Sequence, residues 1–258
     1  MLPVFAFGPV ELSSYVVMLS IGGSVGFWLT YREAARTRAD AGDLLTLAMV
    51  ALGAGLVGAR ALSLALQGSL RPGEAGSWLA VWDRGGMAFY GGLGLAGAAG
   101  VAWIRFARLA AWEASDVLVA AWVPFLVFVR VGCFLNGCCY GKPTTSPLGM
   151  VTGGSPNAVN FGVPSHPAQL YDAAALLAIF GVLAWMRARR RFAGQLTVAF
   201  LALYSGFRLY HETLRGDPRP AVRLGPLGPV ALNQVAAVAV LAFALAAYAL
   251  LRRRSVPA

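Results

Sequence analysis

Charge is what this sequence has least of: only 12% of its 258 residues are Asp, Glu, Lys or Arg, and only 11 are acidic. With 58% hydrophobic residues and a mean hydropathy of +0.66, that scarcity excludes an ordinary soluble domain and indicates a polytopic membrane protein. Internal repeats and low-complexity tracts are lacking too. Each membrane crossing takes about 20 residues, so the length leaves no room for a second, soluble domain, and one domain over residues 1–258 is expected. No basic stretch precedes the first apolar segment, which is therefore expected to be a retained helix and not a cleaved signal. Cysteine is sparse, and the spacing of Cys133, Cys138 and Cys139 matches no standard zinc pattern. Packing, or a disulfide at an oxidising face, is the preferred reading of the three over a metal site.

What is present is a series of seven apolar segments, over residues 12–29, 44–66, 87–104, 117–135, 169–186, 196–210 and 230–251. They predict an all-α bundle of about seven transmembrane helices with its termini on opposite sides. Of the 21 basic residues, 12 fall on one side, among them Arg32, Arg36, Arg105, Arg187 and Arg252 to Arg254. The positive-inside rule then places the C-terminus in the cytoplasm and the N-terminus outside, with the long loop 136–166 outside as well. The net charge of +10 belongs to these flanks and does not indicate nucleic-acid binding.

Three arginines break the apolar pattern. Arg130, Arg60 and Arg208 each sit inside a run that otherwise reads as membrane. An arginine at a helix centre costs about 2.5 to 3.5 kcal/mol on insertion scales, so it faces a bundle interior and a partner. The simplest common partner is an anionic group such as a phosphate. Two glycine patterns, Gly53, Gly55, Gly58 and Gly92, Gly94, Gly97, spell G-x-G-x-x-G. Because they lie in membrane-length segments and not in a βαβ unit, close helix packing is the better reading. Gly91 and Gly92 could also serve a break or a close approach to a ligand.

Two polar clusters stand at segment ends. In His166-Pro-Ala-Gln169-Leu-Tyr171-Asp172, Pro167 suits a helix start, and Gln169 and Asp172 share a face. In Arg208-Leu-Tyr-His-Glu212-Thr-Leu-Arg215, the spacing lets Glu212 pair with either arginine. Capping and an interfacial salt-bridge ladder are the plain alternatives to functional roles.

Taken together, the motifs resemble the prolipoprotein diacylglyceryl transferase family over nearly the whole chain. The matching pieces are Phe7-Gly-Pro-Val10 before a helix bearing Tyr15, Val81-Trp-Asp-Arg-Gly-Gly-Met-Ala-Phe-Tyr-Gly-Gly92, Arg130-Val-Gly-Cys-Phe-Leu-Asn136-Gly-Cys-Cys-Tyr-Gly141, His166-Pro-Ala-Gln-Leu-Tyr171, and Gly206-Phe-Arg208 with Glu212 and Arg215. The resemblance implies a bacterial inner-membrane enzyme of seven helices working at the outer leaflet. It would move the diacylglyceryl group of phosphatidylglycerol onto the lipobox cysteine of a prolipoprotein, releasing glycerol phosphate, in lipoprotein biosynthesis. No metal or redox cofactor is implied. Arg130 and Arg208 fall on the signature arginines and would stabilise phosphate charge. Asn136 and Gly137 would shape the headgroup site beside Tyr15, Gln169 and Tyr171, with Arg60, Gly91, Gly92 and Arg215 as further binding candidates.

The sequence departs from the family at two points. Tyr90 stands where a histidine is usual, and a tyrosine with a pKa near 10 is a poor base at neutral pH. The proton acceptor is then His166, Glu212 or a phosphate oxygen, or else the acceptor substrate differs. Cys133 and Cys138 stand where asparagine and glutamate are common. None of the cysteines lies in an N-terminal lipobox, so the chain is not expected to be a lipoprotein itself. A phosphatidylglycerol enzyme with another acceptor and a non-catalytic phospholipid-binding or transport protein are the competing readings. A proton-coupled transporter is disfavoured because carboxylates deep in the apolar runs are lacking.

Overall fold

The structure is a computed structural model that describes residues 4–7, 10–37, 39–66, 89–151, 162–217, 221–223 and 229–254. Among them are seven helices: α1 (Ser14–Thr37), α2 (Ala41–Leu66), α3 (Phe89–Phe106), α4 (Ala111–Asn136), α5 (Ala168–Arg187), α6 (Gln195–Leu214) and α7 (Leu232–Arg254). Each coincides with one expected segment. Five of them, α1, α2, α4, α5 and α7, are long and apolar enough to cross a membrane. The two that fall short are the 18-residue α3 and α6, whose C-terminal half carries Arg208, His211 and Glu212.

Helix ends differ from the apolar boundaries for a physical reason. Hydropathy marks the membrane, whereas a helix continues until its backbone is capped. Thus α1 runs on through Arg32, Glu33 and Arg36, and α4 begins six residues ahead of its apolar segment. The turn into α2 is set by Asp40, whose Oδ1 accepts the Asp43 N–H at 2.9 Å as an N-cap.

The all-helical expectation holds, with minor β structure outside the helices. Three short antiparallel hairpins are present, pairing β1 (Val4–Phe7) with β2 (Val10–Ser13), β3 (Met150–Val151) with β4 (Pro164–Ser165), and β5 (Ala221–Arg223) with β6 (Pro229–Ala231). They give segments outside the helices the backbone partners that no helix supplies there.

The described residues form two compact units, 1–29 with 119–258, and 30–118, whose boundaries fall inside α1 and α4. In the first, Ala120, Val123, Leu176, Ile179, Leu183 and Leu196 make a buried core from α4, α5 and α6. Small residues on α1 and α4 bring those helices close: a Cβ on Gly26 would lie 3.1 Å from Trp122, and one on Gly132 would lie 3.2 Å from Tyr15 and Met18.

In the second unit, α2 and α3 cross backbone to backbone. A Cβ on Gly58 would strike the Gly91 carbonyl, and one on Gly91 would strike that of Gly58. Gly92 approaches the Gly55 carbonyl one turn away. Half of the glycine pattern is therefore packing, as lipid tails give helices little reason to associate beyond such contact. Gly53, Gly94 and Gly97 meet no neighbour.

Gly58→Val should accordingly lower the unfolding free energy in micelles by about 2 kcal/mol, the usual scale of overpacking. Gly53→Ala should change it little; equal effects of the two would contradict the close crossing.

Candidate functional site

The site is built at the end of α4. Gly137 adopts φ 76° directly after the helix. Its N–H bonds the Phe134 carbonyl at 3.2 Å and the Cys138 N–H bonds that of Cys133 at 3.1 Å, which is a Schellman closure. A glycine suits Gly137 because a Cβ is disfavoured at positive φ. The reversal leaves Arg130 one and a half turns inside the helix and sends the chain back across its end. Asn136 is exposed.

The returning chain is then clamped on both sides. Gln169 Nε2 donates to the Cys138 carbonyl at 2.6 Å. Gly141 N–H bonds the His166 carbonyl at 3.0 Å, Lys142 N–H that of Leu214 at 2.8 Å, and Gly216 N–H that of Tyr140 at 3.1 Å. Only glycine fits at 141, since a Cβ would collide with the carbonyl and Cβ of His166. These bonds fix the ends of α4, α5 and α6 together, and three polar side chains meet there.

Asp172, one turn into α5, is completely buried. Its Oδ2 accepts Arg130 Nε at 2.8 Å and Arg208 Nη1 at 3.3 Å. Its Oδ1 accepts no hydrogen bond among the described residues, so its burial depends on the two guanidiniums. Arg208 also gives Nη2 to Glu212 Oε2 at 2.7 Å, and Glu212 Oε1 accepts Asn233 Nδ2 of α7 at 2.9 Å. Arg208 Nη1 lies 3.2 Å from His211 Nδ1, and His211 Nε2 lies 2.7 Å from the Ala168 carbonyl. A carbonyl can only accept and a guanidinium can only donate, so this imidazole is neutral with its proton on Nε2.

Arg130 differs from Arg208 in what it leaves over. Its Nε alone is engaged, and among the described residues no protein group bonds its two Nη nitrogens, although its side chain is 19% exposed. It thus presents the planar edge that binds two oxygens of one phosphate.

The remaining expected residues are placed as follows. His166 Nδ1 lies 3.3 Å from the Tyr171 hydroxyl. Arg215 does not pair with Glu212; it forks onto Asp217 through Nε at 2.9 Å and Nη2 at 2.7 Å. Burial disfavours the Arg215 charge, but the bonds to Asp217 together with the negative charges of Cys139 and Asp217 outweigh it and raise its pKa. Tyr15 packs beside Gly132. Arg60 is buried on α2, and Tyr90, Gly91 and Gly92 open α3 in the second unit. The stretch 81–88 lies outside the described residues.

Sequence reasoning underrated Asp172, His211 and Asn233. Asp172 was marked only by its spacing from Gln169, and His211 only by lying in the segment from Arg208 to Arg215; Asn233, 21 positions from its partner, carried no signal. Two carboxylates, Asp172 and Glu212, are buried near helix ends, where arginines neutralise them.

The helix end also gathers sulfur. Cys133, Cys138 and Cys139 are free thiols whose Sγ atoms all lie within 4.8 Å of one another. Hydrogen bonds from the other two thiols, and then Arg215 and Arg130, pull the Cys139 pKa well below the usual thiol range.

The chain matches the family model described as prolipoprotein diacylglyceryl transferase over residues 3–250. It belongs to that family. The phosphatidylglycerol–prolipoprotein diacylglyceryl transferase of Nitratidesulfovibrio vulgaris (strain Hildenborough) is 34% identical over 238 residues, covering 88% of this chain and 86% of the relative. The enzyme of the same name from Geobacter sulfurreducens is 31% identical over 259 residues, covering 98% and 95%. That of Clostridioides difficile is 28% identical over 218 residues, covering 84% and 83%. This prolipoprotein diacylglyceryl transferase family member is thus an enzyme and a membrane protein with several apolar helices.

Removing Asp172 leaves two partly buried guanidiniums without their shared anion. Asp172→Ala should therefore lower the unfolding free energy in micelles by about 3 kcal/mol, the scale for breaking a buried pair. A loss under about 1 kcal/mol would show the pairs to be solvent-screened.

Proposed function

We propose that this chain transfers the diacylglyceryl group of phosphatidylglycerol to the lipobox cysteine of prolipoproteins, the first step of lipoprotein maturation. The observation that carries this reading is the Nη edge of Arg130, unengaged among the described residues, beside an Arg208 committed on both terminal nitrogens. Three guanidiniums, those of Arg130, Arg208 and Arg215, face the carboxylates of Asp172, Glu212 and Asp217, so the paired cluster is balanced overall. A phosphate is therefore held by preorganised donors, and not by a large excess of positive charge.

The acceptor sulfur attacks the diacylglyceryl carbon that bears the phosphate ester. The carbon–oxygen bond breaks, a thioether forms, and the electron pair leaves on glycerol phosphate. Charge grows on that phosphate as the bond opens, and Arg130 is placed to bind it more strongly then than before. Arg208, Glu212, His211 and Asn233 hold Asp172 and Arg130 in position. Of the two histidines, His211 has both ring nitrogens engaged. Among the described residues His166 is engaged only at Nδ1, and in the tautomer whose Nδ1–H donates to the Tyr171 hydroxyl its Nε2 is the proton acceptor for the thiol. Tyr15, Gln169, Tyr171, Asn136 and Gly137 border this end of the bundle as binding groups, with Tyr90, Gly91 and Gly92 assigned to substrate by their place in the family motifs and Arg60 by its position in an apolar run.

Helix direction supports a site at the outer leaflet of the bacterial inner membrane, within seven spans. The site uses the starts of α5 and α7, while the far ends of the same helices carry Arg187 and Arg252 to Arg254. By the positive-inside rule those ends are cytoplasmic, which puts the N-terminus and the site outside.

Purified protein given phosphatidylglycerol and a lipobox peptide should lipidate the peptide and release glycerol phosphate. Arg130→Ala should slow both by about 100- to 1,000-fold, as for loss of one transition-state donor, and Arg130→Lys should recover only part because the fork is lost. Lipid binding without release would favour a non-catalytic lipid protein, and release without the peptide thiol would favour another acceptor.

A further inference from the structure

The geometry points to a three-thiolate metal site: Cys133, Cys138 and Cys139 bind one zinc-class divalent ion, whose open fourth position takes the acceptor thiol. The metal site stands on its own, while the role of the open position rests on the proposed transfer reaction.

The sulfurs converge through the fold more than through spacing. Paired cysteines of zinc motifs have two to four residues between them, which Cys133 and Cys138 meet with four, while Cys139 follows Cys138 directly and fits no such pair. Here Cys133 belongs to the last turn of α4, and the Schellman reversal folds the Cys138 N–H back onto the Cys133 carbonyl at 3.1 Å. Cys138 Sγ lies 3.7 Å from that same carbonyl. Cys139 then holds φ 64°, an uncommon conformation for a residue with a Cβ. The neighbouring backbone is fixed by Gln169 at Cys138 and by Gly216 at Tyr140, so the three side chains are held in place from outside the cluster. With Zn–S bonds of about 2.3 Å, the sulfurs of a trigonal or tetrahedral site stand roughly 3.8 to 4.0 Å apart. Separations within 4.8 Å reach that spacing by small rotations about the side-chain bonds.

One feature favours an ion over a disulfide. A disulfide engages two thiols and strands the third, whereas all three sulfurs here surround one point. Thiolates select zinc-class ions over magnesium or calcium.

Three protein ligands with a fourth position open is the arrangement of reactive zinc, as opposed to structural zinc. A thiol that coordinates such an ion is deprotonated. The lipobox S–H would lose its proton to His166 and remain as a metal-bound thiolate. Its sulfur would then form the bond to the diacylglyceryl carbon as the carbon–oxygen bond breaks and glycerol phosphate departs. The ion is unchanged and no electrons are exchanged with it. This removes the demand for a strong base at Tyr90.

The probe is Co2+, added to reduced, chelator-treated full-length protein in micelles. One equivalent should give a thiolate-to-cobalt charge-transfer absorption that Zn2+ abolishes and that Cys133→Ser and Cys139→Ser each reduce severely. A lipobox peptide should shift the cobalt bands, and its serine analogue should not. Zinc-loaded protein should lipidate the peptide at least 10-fold faster than chelated protein. Absence of the charge-transfer band, or a disulfide among the three in protein isolated without reductant, would overturn the site. A band unmoved by the peptide, or equal lipidation with and without metal, would overturn the role of the open position while leaving the transferase intact. No lipidation in either state counts against the transfer reaction alone, the cobalt spectrum of wild-type protein still deciding the site.

Discussion

One carboxylate organises the functional end of this protein. Asp172 accepts both Arg130 and Arg208 on a single oxygen, and each of the three comes from a different helix. Neither arginine would be stable in an apolar bundle without a counter-charge, and Asp172 would not be stable there without a cation. The interaction thus fixes how α4, α5 and α6 meet, and it turns a cost of burial into a constraint on geometry. Glu212, His211 and Asn233 extend the network, each completing a hydrogen-bonding demand left by another member.

The two arginines consequently differ in what they can do. Arg208 is committed on both terminal nitrogens, while Arg130 keeps a planar edge beyond its bond to Asp172. Similar side chains in similar apolar runs are divided into a holder and a donor by the number of partners around them. Close backbone approach makes that division possible. Gly137 permits the helix to reverse, and Gly141 lets the returning chain reach His166 and Leu214 without a side chain intervening. The same reversal gathers the three cysteines beside the arginines.

The membrane character was legible because apolar length is a direct readout of the solvent a helix meets. The three anomalous arginines were legible because each is expensive in such a run. The Arg208 to Glu212 pair was legible from a four-residue spacing. Other features depend on contacts between distant segments. Arg215 could have paired with Glu212 by spacing, yet the chain leaves the helix at that residue and turns it onto Asp217. His166 looked like a site residue, and its ring pairs with Tyr171, while the less conspicuous His211 joins the arginine network. The glycine repeats were readable as packing, but only the structure shows that Gly55, Gly58, Gly91 and Gly92 make the crossing and that Gly53, Gly94 and Gly97 do not.

The sequence by itself determined the solvent, the helices and the family, since hydropathy, helical spacing and ordered motifs are properties of neighbours along the chain. Only the tertiary structure decided which charges are neutralised, which donors remain, and that Cys133, Cys138 and Cys139 share one point. Those outcomes depend on where helix ends converge. The convergence is set by backbone bonds between Tyr140 to Lys142, His166 and Leu214 to Gly216, segments that spacing along the chain cannot relate.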